Sequence, residues 1–104
     1  MVAMIQRFKI GPIEFEADDE KAEANLRRHG VSFPVAARSF VDPFARVFPD
    51  KEHSLHESRW INVGSSPDGR LLLTAYTLRG ERIRLISSRP ANRRERHAFE
   101  ATHS

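Results

Sequence analysis

From Arg59 to Ser88 the chain runs through three stretches, RWINVGSS, RLLLTAYTL and ERIRLISS, rich in β-branched and apolar residues and separated by turn signals. Pro67-Asp68-Gly69 and Arg79-Gly80 are the residue types that reverse a chain tightly. Strand, turn, strand, turn, strand commits this third of the protein to an antiparallel meander, which has to bury one of its faces. Side chains alternate along a strand, so Trp60 and Asn62 share one face, and Ile61 and Val63 share the other. By the same parity Ile83 and Leu85 point toward the core, leaving Arg82 and Arg84 on the open face.

The flanking segments supply the cover. MIQRFKIGPIEFE alternates loosely around Ile5, Phe8, Ile10, Ile13 and Phe15 and reads as one or two short strands broken at Gly11-Pro12. Asp18 is a good N-cap for the helix DEKAEANLRRHG, with acidic residues in its first turn and Gly30 as its stop. Ser32 or Phe33-Pro34 opens a second helix, ended by Asp42-Pro43. FARVFPD is a strand candidate and DKEHSLHES a polar connection. NRRERHAFEATH reads as a closing helix, because Asn92 and Glu95 have capping-box spacing. The expected fold is α+β, a small antiparallel sheet packed against N-terminal helices with a C-terminal helix, in the order β-α-α-β-β-β-α. At 104 residues the chain is expected to form a single domain, residues 1–104.

Composition narrows the chemistry. The chain has no cysteine, which removes thiolate catalysis, disulfides and zinc–thiolate sites and suits a reducing cytosol. No run approaches the roughly 18–20 apolar residues of a membrane span, so a cytoplasmic protein with no membrane partner is expected. Net charge is +3, unevenly placed. Residues 1–69 hold nine basic and eleven acidic side chains, whereas residues 70–104 hold eight arginines against three glutamates. The planar fork of arginine matches phosphate or carboxylate, so a polyanion or an acidic protein is the expected partner.

Three constellations carry the candidate chemistry. In RGERIRLISSRPANRRER, Arg79, Arg82, Arg84 and Arg89 on or beside the last strand and Arg93 and Arg96 on the last helix are expected to converge on one concavity, the alternative being an ordinary charged sheet face. In HSLHESRW, His53 and His56 have no evident third metal ligand. Glu57 beside Arg59 is either a general base or half of an ion pair. Lys21, Asn25 and His29 recur every four residues and line one stripe of the first helix, most simply a solvated face. No Ser-His-Asp grouping, P-loop or dinucleotide fingerprint is present.

The ordered combination FEADDEKAEANLRRHGVSF, FVDP, HSLHESRW with Gly64, and RIRLISSRPANRRER resembles the BrnT toxins of bacterial type II toxin–antitoxin modules, over roughly residues 15–100. The family pattern falls on Asp18, Lys21, Asn25, His29, Gly30, Glu57, Arg59, Trp60, Gly64, Arg84, Ser87, Arg89, Ala91, Arg93, Glu95 and Arg96. Two positions depart from it. Ala17-Asp18 stands where the family usually has Trp-Asp, and Phe99 stands where a Tyr often follows. The resemblance implies a RelE-like ribonuclease toxin, neutralised by a BrnA-like ribbon-helix-helix antitoxin through which alone it would reach operator DNA.

On that reading the protein is an endoribonuclease that needs no metal or other cofactor and blocks translation. RNA brings its own nucleophile, the 2′-OH, so the protein has to position the phosphate, move protons and stabilise the phosphorane. Arg79, Arg84 and Arg89 are expected to hold the phosphate, with Arg59 nearby. Glu57 is the expected base, assisted by Lys21, His29 or a neighbouring guanidinium group, while Arg82, Arg93 and Arg96 bind RNA. The alternative is a catalytically weak binding module that docks an antitoxin or nucleic acid on the same basic face. A plain RNA-binding protein is a third reading, marked only by salt-dependent binding.

Overall fold

A computed structural model of the protein describes residues 4–102. Strands β1 (Ile5–Ile10) and β2 (Ile13–Asp18) form a hairpin; helices α1 (Asp19–His29) and α2 (Phe33–Arg38) follow, and a 3₁₀ turn, Ser39–Val41, extends α2. Strands β3 (Arg46–Pro49), β4 (Trp60–Ser65), β5 (Leu71–Arg79) and β6 (Arg82–Pro90) then run as a meander into helix α3 (Arg93–Ala101). The closing helix expected as far as His103 ends one residue outside the description; its described part is α3.

The sheet has six strands in the order β1-β2-β6-β5-β4-β3. This corrects two expectations. The N-terminal stretch is a complete hairpin and Arg46–Pro49 is a strand, so the order is β-β-α-α-β-β-β-β-α. The sheet is mixed, because β6 lies parallel to β2, with Phe15 opposite Ile83 and Glu16 opposite Arg84. A parallel neighbour needs a long crossover, here everything from α1 to β5, and no local turn signal announces it.

Local chemistry explains the helices. The Asp18 carboxylate accepts from the Glu20 and Lys21 N–H groups at 2.8 and 3.2 Å, and Gly30 ends α1 in the left-handed region at φ 68°. At α3 the Asn92 side chain accepts from the Glu95 N–H at 2.8 Å while Glu95 accepts from the Asn92 N–H at 2.9 Å, a complete capping box. The main core gathers Phe15, Ala17, Phe33, Ala37, Tyr76 and Leu85 between sheet and helices. Its aromatic rings continue from Phe15 through Phe40 to Tyr76, edge to face at 5.2 and 5.1 Å. Gly64 is demanded by packing: a Cβ there would stand 2.3 Å from the Ser39 carbonyl oxygen.

Two irregularities of β6 shape the open face of the sheet. Pairing with β2 covers only the start of β6, because β2 ends where α1 begins. Beyond that point the buried Asn25 amide stands in for a strand: its Oδ1 accepts from the Ser88 N–H, and its Nδ2 donates to the Ser88 and Val31 carbonyls, all at 2.9 Å. The second irregularity is a β-bulge. Tyr76 pairs with Leu85 and Ala75 with Ser87, which leaves Ile86 as an extra residue. Arg84 and Arg89, five apart, would face opposite ways on a regular strand; the bulge puts both on the open face.

Candidate active site

The open face carries the arginines that parity assigns to it, but each arrives with a carboxylate. Arg82 meets Glu14 at 3.5 Å, Arg79 meets Glu57 at 3.5 Å, and the Arg84 Nε donates to Glu16 at 2.7 Å. Arg89 grips Glu95 with two parallel bonds of 2.8 Å. That fork holds the Glu95 carboxyl down to about 2, the Asn92 N–H assisting, and raises the Arg89 guanidinium above its ordinary value. Glu16 is buried, at 4% exposure, so Arg84 neutralises an interior charge.

One part of the face is built differently. Ile61 from β4 and Leu73 and Ala75 from β5 form the floor of a cleft of about 320 Å³. On the β6 side stand Ser87, Arg89 and, from the end of α1, His29; on the β4 side stand Arg59 and the Asp50–His53 turn. Through His29, Ile86 and Ser87 the cleft adjoins a groove along α1 lined by Lys21, Asn25 and Arg28.

Arg59 is placed by the loop between β3 and β4. The Asp50 N–H donates to the Arg59 carbonyl at 2.9 Å, and the Ser54 hydroxyl donates to the Asp50 carbonyl at 2.6 Å. The same hydroxyl accepts from the Arg59 N–H at 3.0 Å, so residues nine apart are clasped together. Among the described residues no carboxylate lies within ion-pair distance of Arg59, and its Nε is buried without a hydrogen-bond partner. A guanidinium that lines the cleft with no carboxylate on it keeps its charge for an anion.

Of the residues named from sequence, Arg59, Arg89 and His29 come together in this cleft, and Lys21 stands in the adjoining groove. Arg79, Arg82 and Arg84 share the open face without lining the cleft. Glu57 lies 3.5 Å from the Arg79 guanidinium and is not among the residues lining the cleft. The helix arginines do not converge there: α3 leaves from beyond Pro90, Arg93 is exposed, and Arg96 opens onto a separate cavity of about 280 Å³ with Ser65, Leu71 and Phe99. From α3, Glu95 reaches back to Arg89. Asp50 and Ser87 also line the cleft. His53 lines it too, and among the described residues no three His, Asp or Glu side chains gather as a metal site.

The family model described as the ribonuclease toxin BrnT of type II toxin–antitoxin systems matches residues 18–95.

The chain belongs to the BrnT family.

A solved structure, the Brucella abortus ribonuclease toxin BrnT, is similar in fold, with a TM-score of 0.59 at 22% identity over 74% of this chain and 94% of that one. No curated protein matched the sequence. Eight of the residues on which the BrnT pattern falls have a plain place in the structure. Asp18, Asn25, Gly30 and Gly64 build the fold, as cap, strand substitute, helix stop and close approach. His29, Arg59, Ser87 and Arg89 line the cleft.

Proposed function

We propose that this chain acts as one toxin domain, an endoribonuclease that cuts RNA in the cleft between His29 and Arg59 without a metal and thereby blocks translation in the cytoplasm. The observation that carries the reading is Arg59, a cleft guanidinium with a buried, unpartnered Nε and no carboxylate on it. Arg59 and the N–H groups of Arg89 that Glu95 leaves unused grip the scissile phosphate and the charge that grows on it. The apolar floor of Ile61, Leu73 and Ala75 receives a base. Arg79 and Arg82, half exposed and only 3.5 Å-paired, exchange their glutamates for flanking phosphates, whereas Arg84 stays with buried Glu16. Lys21 meets the RNA backbone along α1, and Arg93 and Arg96 do so from α3. The nucleophile is the 2′-OH, so no metal-bound water is required.

The BrnT family is one of type II toxins, and we infer an antitoxin of the BrnA type, a ribbon-helix-helix protein that covers this cleft and alone contacts operator DNA. The core arrangement is read as RelE-like. Induction of the chain alone should stop growth and protein synthesis, co-induction of the antitoxin should restore both, and the purified protein should cleave RNA in EDTA. Growth that continues while the protein accumulates would favour the weak binding module instead.

A further inference from the structure

The cleft holds two imidazoles on opposite walls, and they are not equivalent. Both Asp50 carboxylate oxygens lie 3.1 Å from the His53 Nδ1. Asp50 is itself only 12% exposed, fixed by the Ser54 clasp that also sets Arg59. A carboxylate accepting from Nδ1–H fixes the tautomer, leaves Nε2 as the acceptor and stabilises the positive charge that the ring gains with a proton. His29, across the Leu73–Ala75 floor, has no such partner among the described residues. The titratable and charged groups that share the cleft with His53 are Asp50 and Glu52 of its own turn, Arg59 from the start of β4, Arg89 from β6 and His29 from α1.

We propose that His53, oriented by Asp50, is the general base of the reaction and that His29 is the general acid, an assignment that rests on the ribonuclease reading. His53 Nε2 takes the 2′-OH proton as the O2′–P bond forms. His29 gives a proton to the leaving 5′-oxygen as the P–O5′ bond breaks. The products are a 2′,3′-cyclic phosphate and a 5′-hydroxyl, and proton exchange with water resets both rings. Asp50 is a positioning residue, acting through His53.

The test uses the full chain and a mixed-sequence single-stranded RNA oligonucleotide, with a second version carrying sulfur at the bridging 5′ position of one linkage, a leaving group that needs no proton. His53→Ala should lower kcat by about a hundredfold or more, remove the acid limb of the pH–rate profile and remain slow on the sulfur substrate. Asp50→Asn should lower kcat with KM nearly unchanged. His29→Ala should be slow on the oxygen substrate and recover on the sulfur one. Because His53 is 61% exposed, its loss should leave the melting temperature unchanged. Cleavage by His53→Ala at near wild-type rate with both pH limbs intact, while Arg59→Ala is inactive, overturns this assignment alone. A wild-type protein that cuts no RNA overturns the ribonuclease reading as well.

Discussion

Arg89 and Glu95 face each other fork to fork, Nη1 on Oε1 and Nη2 on Oε2, both at 2.8 Å. Glu95 also closes the capping box of α3 through the Asn92 N–H. One carboxylate therefore ties the end of β6, the cleft and the last helix together. Its carboxyl, ordinarily near 4.5, is held at about 2, first by the Arg89 side chain. A carboxyl depressed on folding adds stability that is fully present above its unfolded value and lost as pH falls through its folded one. Glu95→Gln should thus lower stability at pH 6, and the gap from wild type should close between about pH 4.5 and 2, measured by denaturant unfolding. A gap of constant size across that window would show that the fork contributes no pH-dependent stability.

Arg84 and Glu16 predict a different outcome from the one their sequence positions suggest. An arginine that only holds phosphate can be removed without harm to the fold. Here Arg84→Ala strands a carboxylate that is 4% exposed, and breaking such a pair costs about 3–5 kcal/mol. Urea unfolding should show the loss, and Arg84→Met with Glu16→Leu should recover most of it. A fully stable Arg84→Ala protein would contradict this role.

Asn25 closes the uncovered part of β6. Asn25→Ala leaves the Ser88 N–H and C=O and the Val31 C=O without their partner, at roughly 1–3 kcal/mol for each buried group left unsatisfied. Amide exchange at Ser88 should accelerate strongly in the variant. Exchange at the wild-type rate, with stability intact, would mean that water or a shifted strand replaces the amide.

Much of this was legible before the structure. Asp18, Gly30 and the Asn92–Glu95 box are local, so sequence spacing alone places them. The parity of Arg82 to Leu85 is equally local and holds. What sequence hides is whatever depends on partners far along the chain. Glu14 and Glu16 lie some seventy residues before the arginines they neutralise, and only the parallel β2–β6 pairing joins them. The Ile86 bulge leaves no turn residue as a marker, yet it decides which face Arg89 joins. Asn25 reads as part of a polar stripe until β6 is seen to lack a neighbour. The Asp50–His53 contact was within reach, being three residues apart, but its meaning depends on Arg59 being folded against it.

Arg59 is the centre of the proposed site, so the most direct test is single-turnover RNA cleavage by Arg59→Ala and Arg59→Lys against the wild type, in EDTA, with unfolding curves alongside. Loss of one preorganised donor to a growing negative charge costs roughly 10²–10³ in rate. Both variants should fall by about that much with stability retained, and lysine should restore little, because it has no planar fork. Cleavage by Arg59→Ala at the wild-type rate would contradict the account and move the chemistry out of this cleft.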